Sequence, residues 1–118
     1  REIGIGFCET KVDLNRMPGW DDGSWGYHGD DGKLYCSSGS GNPYGPLFST
    51  GDTIGCCLNF TNNTVFYTKN GVSLGSYCKA YNLHLILYPC VGLSSQGGYI
   101  EVNFGSRKFK FTGNAEKL

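Results

Sequence analysis

The stretch from Asn15 to Gly32, Asn-Arg-Met-Pro-Gly-Trp-Asp-Asp-Gly-Ser-Trp-Gly-Tyr-His-Gly-Asp-Asp-Gly, constrains this chain more than any other. It holds both tryptophans, one of the two histidines and four acidic residues, punctuated by five glycines and a proline. Glycine reaches positive φ and proline fixes φ, so this density predicts tight turns at defined positions rather than a slack linker. Between the turns, Ser24-Trp25-Gly26-Tyr27-His28 reads as a short strand. Trp25 and Tyr27 share one face, and Gly26 leaves room on the other for a close neighbour. The chain then leaves through the turn Gly29-Asp30-Asp31-Gly32.

The rest of the chain follows the same style. Ile3-Gly4-Ile5-Gly6-Phe7 alternates strictly, with Ile3, Ile5 and Phe7 on a core face and the glycines under another backbone or a bulky ring. Glu9 to Leu14 is a polar connection. Lys33-Leu34-Tyr35-Cys36 returns from the Asp-Asp-Gly turn as a hairpin partner, and 37–46 is an ordered surface loop anchored by Tyr44, Leu47 and Phe48. After the Gly51-Asp52 turn, Thr53 to Phe60 alternates, with Ile54, Cys56, Leu58 and Phe60 on one face. Thr64 to Thr68 returns with both faces partly apolar, which leaves its inward face open. Asn70-Gly71 is a strong type I′ hairpin signal, and Val72 to Tyr77 follows as a strand. Leu83 to Leu87 reads as one helical turn or an extended approach. Tyr88 to Leu93 and Tyr99 to Phe104 read as two further strands, and the tail from 113 to 118 as frayed. Short strands joined by Gly, Asn and Pro turns predict an all-β antiparallel sandwich.

With 118 residues the chain supports one domain, expected over 1–112. Ten basic and ten acidic residues leave no basic excess for phosphates, so nucleic acid is not an expected partner. The cluster Arg107-Lys108-Lys110, diluted by Phe109 and Phe111, reads as a solvated strand end. No apolar run approaches a membrane span. The six cysteines at 8, 36, 56, 57, 78 and 90 lack Cys-x-x-Cys or Cys/His ligand spacing, so neither zinc nor any other cofactor is expected. Cys8, Cys56 and Cys90 sit in apolar runs, where a thiol behaves as a small hydrophobe, and all six are expected to be free. The sequons Asn59-Phe60-Thr61 and Asn62-Asn63-Thr64 argue only weakly for secretion.

A Cys–His catalytic site would need His28 poised as a base. The turn chemistry instead predicts that His28 caps a turn while the aspartates satisfy backbone amides. Asp21-Asp22-Gly23 and Asp30-Asp31-Gly32 lack the alternating oxygens and distal glutamate of an EF-hand loop, so no metal is expected. Exposed Trp, Asp and Asn on a sandwich also suit a carbohydrate-binding reading, against which core packing is the commoner fate of Trp20 and Trp25.

The run Arg16-Met17-Pro18-Gly19-Trp20, followed by Tyr27 to Gly32, resembles the corresponding part of SPRY domains of the Ran-binding protein M (RanBPM) type. The resemblance continues through Gly51-Asp52-Thr53-Ile54-Gly55-Cys56-Cys57, Phe66 to Gly71, Leu87-Tyr88-Pro89 and Val102-Asn103-Phe104-Gly105, in the family's order. It implies a B30.2-like, concanavalin-like jelly-roll sandwich that begins after the family's usual first strands. Such a chain is expected to expose an edge and to self-associate. The resemblance also implies a non-enzymatic module that recognises a peptide or partner protein through loops at one end of the sandwich. The context it implies is a GID/CTLH ubiquitin-ligase scaffold in cytoplasm or nucleus, with a secreted effector of a plant-parasitic nematode as the alternative. Carried over residue by residue, the partner-binding candidates are Tyr35, Ser37, Ser38, Gly39, Ser40 and Gly41, with Ser94, Ser95, Gln96, Gly97, Gly98 and Tyr99. Tyrosines with Ser/Gly loops suit this role, combining rigid rings with adaptable hydrogen bonding. Arg16, Trp20 and Asp21 are either partner-binding or structural.

Overall fold

A computed structural model describes residues 2–79, 87–94 and 96–112, without the side chains of Tyr77 and Lys79. The described strands are β1 (Ile3–Cys8), β2 (Ser24–His28), β3 (Lys33–Cys36), β4 (Asn42–Pro43), β5 (Ile54–Asn59), β6 (Thr64–Lys69), β7 (Val72–Lys79) and β8 (Tyr88–Leu93). They form a five-stranded sheet in the order β4-β3-β2-β1-β8 and a three-stranded sheet in the order β5-β6-β7. Every pairing between these strands is antiparallel.

Register explains the division of faces. Gly6 lies opposite Gly26, Ile5 opposite Tyr27 and Phe7 opposite Trp25. Strand side chains alternate, so the large apolar groups of β1 and β2 share the inner face and the glycines share the outer one. Trp25, Tyr27, Leu34, Phe48, Val65 and Tyr67 form the core between the sheets, with Ile3, Ile5 and Phe7 packed against it. The Tyr27 ring meets Phe48, Tyr44 and Tyr67 at centroid distances of 4.8, 5.3 and 5.6 Å. Its hydroxyl donates to the Pro46 carbonyl. Tyr44 ties the loop after β4 to the smaller sheet: its hydroxyl donates to the Gly75 carbonyl at 2.6 Å and accepts the Tyr67 N–H at 3.0 Å. Both faces of β6 are covered, since Phe66 packs edge-on to Phe111 at 6.0 Å while Val65 and Tyr67 are in the core. Asn70 and Gly71 have φ of 51° and 87°, as a type I′ turn requires.

Four expectations are corrected. Cys36 and Cys78 are joined in a disulfide across the two sheets, so the cysteines are not all free. Cys36 lies opposite Trp25 on the inner face and Cys78 lies on the facing sheet, a long-range meeting that no local spacing announces. The stretch from Tyr99 to Phe104 forms no strand, and Tyr99 and Phe104 are exposed. Alternation makes a strand only where a neighbour exchanges hydrogen bonds, and this segment has none among the described residues. Phe60 is exposed because β5 ends at Asn59, before the inward alternation reaches it. The cluster Arg107-Lys108-Lys110 accordingly lies in irregular chain, with Arg107 paired to Glu101 at 3.0 Å. Positions 83–86 and the tail 113–118 lie outside the described residues.

Candidate functional site: a strap and a loop on the outer face

The connection from β1 to β2, residues 9–23, folds back over the outer face of the larger sheet as a strap. Glu9 N–H donates to the Gly23 carbonyl at 2.8 Å and closes its base. Successive turns shape it, with Arg16 N–H donating to Asp13 O and Trp20 N–H to Met17 O, each at 3.2 Å. Three strands make room for it with glycine. A Cβ on Gly92 would lie 2.6 Å from Pro18 Cδ, and one on Gly4 would lie 3.1 Å from Met17 Cε. A Cβ on Gly26 would run into the Pro18 carbonyl. The glycines of β8, β1 and β2 therefore form a trough that Met17 and Pro18 fill.

His28 anchors the strap rather than capping a turn, correcting that expectation. Its Nε2 lies 2.8 Å from the Pro18 carbonyl, which only accepts, so Nε2 carries the proton. The ring stacks on Tyr35 at 4.1 Å, and Trp20 meets Tyr35 edge-on at 6.5 Å. Tyr35 is buried; its hydroxyl donates to Asp31 Oδ2 at 2.5 Å. Burial and this bond push its phenol up to about 12, so it remains a donor across the physiological range. Above the stack, the Arg16 guanidinium carbon lies 5.4 Å from the Trp20 ring centroid, and Arg16 Nε donates to Asp21 Oδ1 at 2.7 Å. Aromatic stacking below and an ion pair above give one ordered column, Tyr35–Trp20–Arg16, whose outer end reaches solvent.

The loop after β3 is sewn to the strap. Ser37 takes φ of 55°; its N–H donates to the Ser24 carbonyl at 2.9 Å, and its hydroxyl accepts the Gly23 N–H at 3.1 Å. Ser38 N–H donates to Gly19 O at 2.9 Å, and Gly19 N–H donates to Ser24 Oγ at 2.9 Å. Ser38 Oγ accepts the Ser40 N–H at 3.0 Å. Gly41 backs onto the Tyr35 ring, where a Cβ would come within 2.6 Å. Gly39 and Ser40 are left exposed, next in the chain to Ser38, whose bond to Gly19 brings the loop to the strap beside Trp20.

The second predicted stretch is elsewhere. Ser94 exchanges hydrogen bonds with Glu2: Ser94 N–H donates to Glu2 O at 3.1 Å, and Glu2 N–H donates to Ser94 Oγ at 2.9 Å. Ser37 sits at the Cys8/Ser24 end of β1 and β2, whereas Ser94 sits at the Glu2 end. At ~3.3 Å per residue, the length of β1 separates the two by about 20 Å. Gln96, Gly97, Gly98 and Tyr99 are exposed, and Ser95 lies outside the described residues. The two predicted stretches therefore do not form one surface. Sequence reasoning also missed Leu14, which stands 81% exposed on the strap close to Arg16. Its one signal was an apolar residue inside a polar connection.

His28, Asp30 and Asp31 are close enough for their ligand atoms to lie within 4.8 Å of one another. Asp31 Oδ1 accepts the Lys33 N–H at 2.9 Å and Oδ2 accepts the Tyr35 hydroxyl, while His28 Nε2 is held by Pro18. These bonds account for His28 and Asp31 as the base of the aromatic column, with Asp30 exposed beside them. A crevice between strap and β8, lined by Leu14, Arg16, Met17, Asp21, Cys90 and Gly92, measures ≈ 40 Å³. That is room for water, against the ~300–1,000 Å³ of a small-molecule site. What this face offers is a firm, largely filled surface with charged and aromatic groups at its crest.

Two packed antiparallel sheets with such a loop-bearing face define a β-sandwich. The SPRY domain family model matches residues 1–107, and the chain belongs to that family. It is a SPRY domain of the RanBPM type. The chain is 56% identical over 109 residues to Ran-binding protein 10 of Danio rerio and to Ran-binding protein 9 of Homo sapiens. The match covers 92% of this chain and 18% and 15% of those relatives. Ran-binding protein M homolog of Arabidopsis thaliana is 43% identical over 110 residues, 93% of this chain and 23% of that protein. The chain thus spans less than a quarter of each of these relatives. A solved structure described as a crystal structure of human SPRY domain superposes with a TM-score of 0.69 at 34% identity. That superposition covers 80% of this chain and 62% of the other.

Proposed function

We propose that this domain is a non-enzymatic recognition module that holds a peptide segment or partner-protein surface on the strap-and-loop face. The observation that carries this reading is the column Tyr35–Trp20–Arg16, fixed from beneath by His28 and crowned by the Arg16–Asp21 pair. Rigid aromatic and arginine groups lose little entropy on binding and recur as interface hot spots. In this reading Arg16, Trp20, Asp21, Gly39 and Ser40 meet the partner. Tyr35, Ser37, Ser38 and Gly41 hold that surface in shape. Ser94, Gln96, Gly97, Gly98 and Tyr99 belong to a separate end. The relatives are named for binding Ran, and by analogy the ligand here is a protein. The family resemblance further supports a place in a ubiquitin-ligase scaffold of the GID/CTLH kind, acting in cytoplasm or nucleus. The Cys36–Cys78 bridge favours a second reading, a secreted SPRY effector, because such bonds persist in oxidising compartments. Proximity labelling with the domain, comparing wild type with Arg16→Ala and Trp20→Ala, tests the first reading. Loss of the same labelled proteins in both variants supports it, and unchanged labelling overturns it.

A further inference from the structure

The strands that carry the strap also bring two thiols together. Register places Cys8 opposite Tyr88 and Cys90 opposite Gly6, so Cys8 and Cys90 are diagonal neighbours on the outer face of one antiparallel pair. Both are free, and Cys8 is the neighbouring group that acts on the Cys90 thiol. Cys8 is buried and Cys90 is half-buried, so Cys90 is the more accessible of the two. Cys56 and Cys57, by contrast, are adjacent on β5 and point to opposite faces, a geometry that no bridge tolerates.

We propose that Cys8 and Cys90 are a dithiol site that a low-molecular-weight disulfide, such as oxidised glutathione, converts to a second bridge independent of Cys36–Cys78. In the first step the Cys90 thiolate attacks one glutathione sulfur, forming a mixed disulfide and releasing one glutathione thiolate. In the second, the Cys8 thiolate attacks the Cys90 sulfur, forming the Cys8–Cys90 bond and expelling the second glutathione thiolate. The two cysteine protons pass to the two glutathiones, and two electrons reduce the reagent. Burial first, and the Cys8 neighbour next, push the Cys90 thiol up to about 12, so little thiolate is present at neutral pH and the first step is slow, quickening as pH rises. The bridge ties β8, at the edge of the sheet, to β1 beneath the crevice that Cys90 lines.

The test is peptide mass mapping of the full chain, Cys36–Cys78 intact, after incubation with oxidised glutathione. Wild type is expected to lose two free thiols and the mass of two hydrogens, with the Cys8 and Cys90 peptides cross-linked. Cys8→Ala is expected to trap a single glutathione on Cys90, because no resolving thiol remains. Should that variant fold poorly, Cys90→Ser is expected to abolish the cross-link while leaving Cys8 free. A wild-type chain that retains glutathione on Cys90, or one whose Cys8 and Cys90 both stay free, overturns the proposal.

Discussion

The two ends of the larger sheet start from similar residues and finish unlike. Ser37 to Gly41 and Ser94 to Gly98 are both Ser/Gly stretches following a strand. At the first end, side-chain and backbone hydrogen bonds from Ser24, Gly19 and Gly23 fasten the loop to the strap. At the second, Ser94 is fastened to Glu2, and the described residues beyond it stand exposed through Tyr99. Loop composition alone does not order a loop. A second segment must be packed behind the loop, and here the glycine trough supplies the space for it.

This contrast is broken most severely by separating the sheets. Reducing Cys36–Cys78, whose partners lie 42 residues apart, is expected to lower stability by about 3–4 kcal/mol, through restored freedom of the unfolded chain. Denaturant melts with and without reductant measure it, and Cys36→Ser should match the reduced chain. Next is the trough. Gly26→Val drives a side chain into the Pro18 backbone and is expected to cost about 3 kcal/mol, displacing the strap. Gly39→Ala is the matched control: a Cβ there meets nothing within 4 Å, so it should stay within ~0.5 kcal/mol of wild type. Equal melting temperatures for the two variants would remove the trough from the account. His28→Ala leaves the Pro18 carbonyl without its donor and Tyr35 without its stacking partner, for an expected ~2 kcal/mol by the same melts.

The smallest effect sharpens the comparison from the other sheet. Asn70 Nδ2 and Ser49 N–H each donate to the Asp52 carboxylate at 3.0 Å and hold its pKa below the ordinary 3.8, with Lys69 assisting. A depressed carboxyl stabilises the fold above 3.8 and loses that contribution as pH falls through the lower folded value. Asp52→Asn is expected to lower the melting temperature slightly at neutral pH and to leave it nearly unchanged at the acid end, so that the acid limb of the profile flattens.

Much of this was legible in the chain, and the reasons divide cleanly. The alternation of Ile3, Ile5 and Phe7 with glycines announced both the core face and a close neighbour opposite, and Met17 and His28 over Gly4 are that neighbour. Asn70-Gly71 announced its turn because positive φ at two successive positions has few sequence solutions. Local chemistry could not announce meetings between distant segments. The Cys36–Cys78 bridge, the stacking of His28 on Tyr35, and the distance between Ser37 and Ser94 all depend on which strands become neighbours. The same limit explains Tyr99 to Phe104, whose alternation is real but has no partner strand among the described residues.

On the proposed function, partners meet the strap-and-loop end and not the Ser94–Tyr99 end. The direct measurement is affinity capture with wild type, Arg16→Ala, Asp21→Ala and Tyr99→Ala, each first shown to melt like wild type, with bound proteins quantified by mass spectrometry. Arg16 and Asp21 are partly exposed, at 46% and 31% of their side-chain surface, and Tyr99 is 88% exposed, so all three changes should spare the fold. The account predicts that Arg16→Ala and Asp21→Ala each lose most of the captured set, tenfold or more for the principal partner, while Tyr99→Ala keeps it. Retention by both strap variants together with loss in Tyr99→Ala would contradict it and move the recognition surface to the opposite end of the sheet.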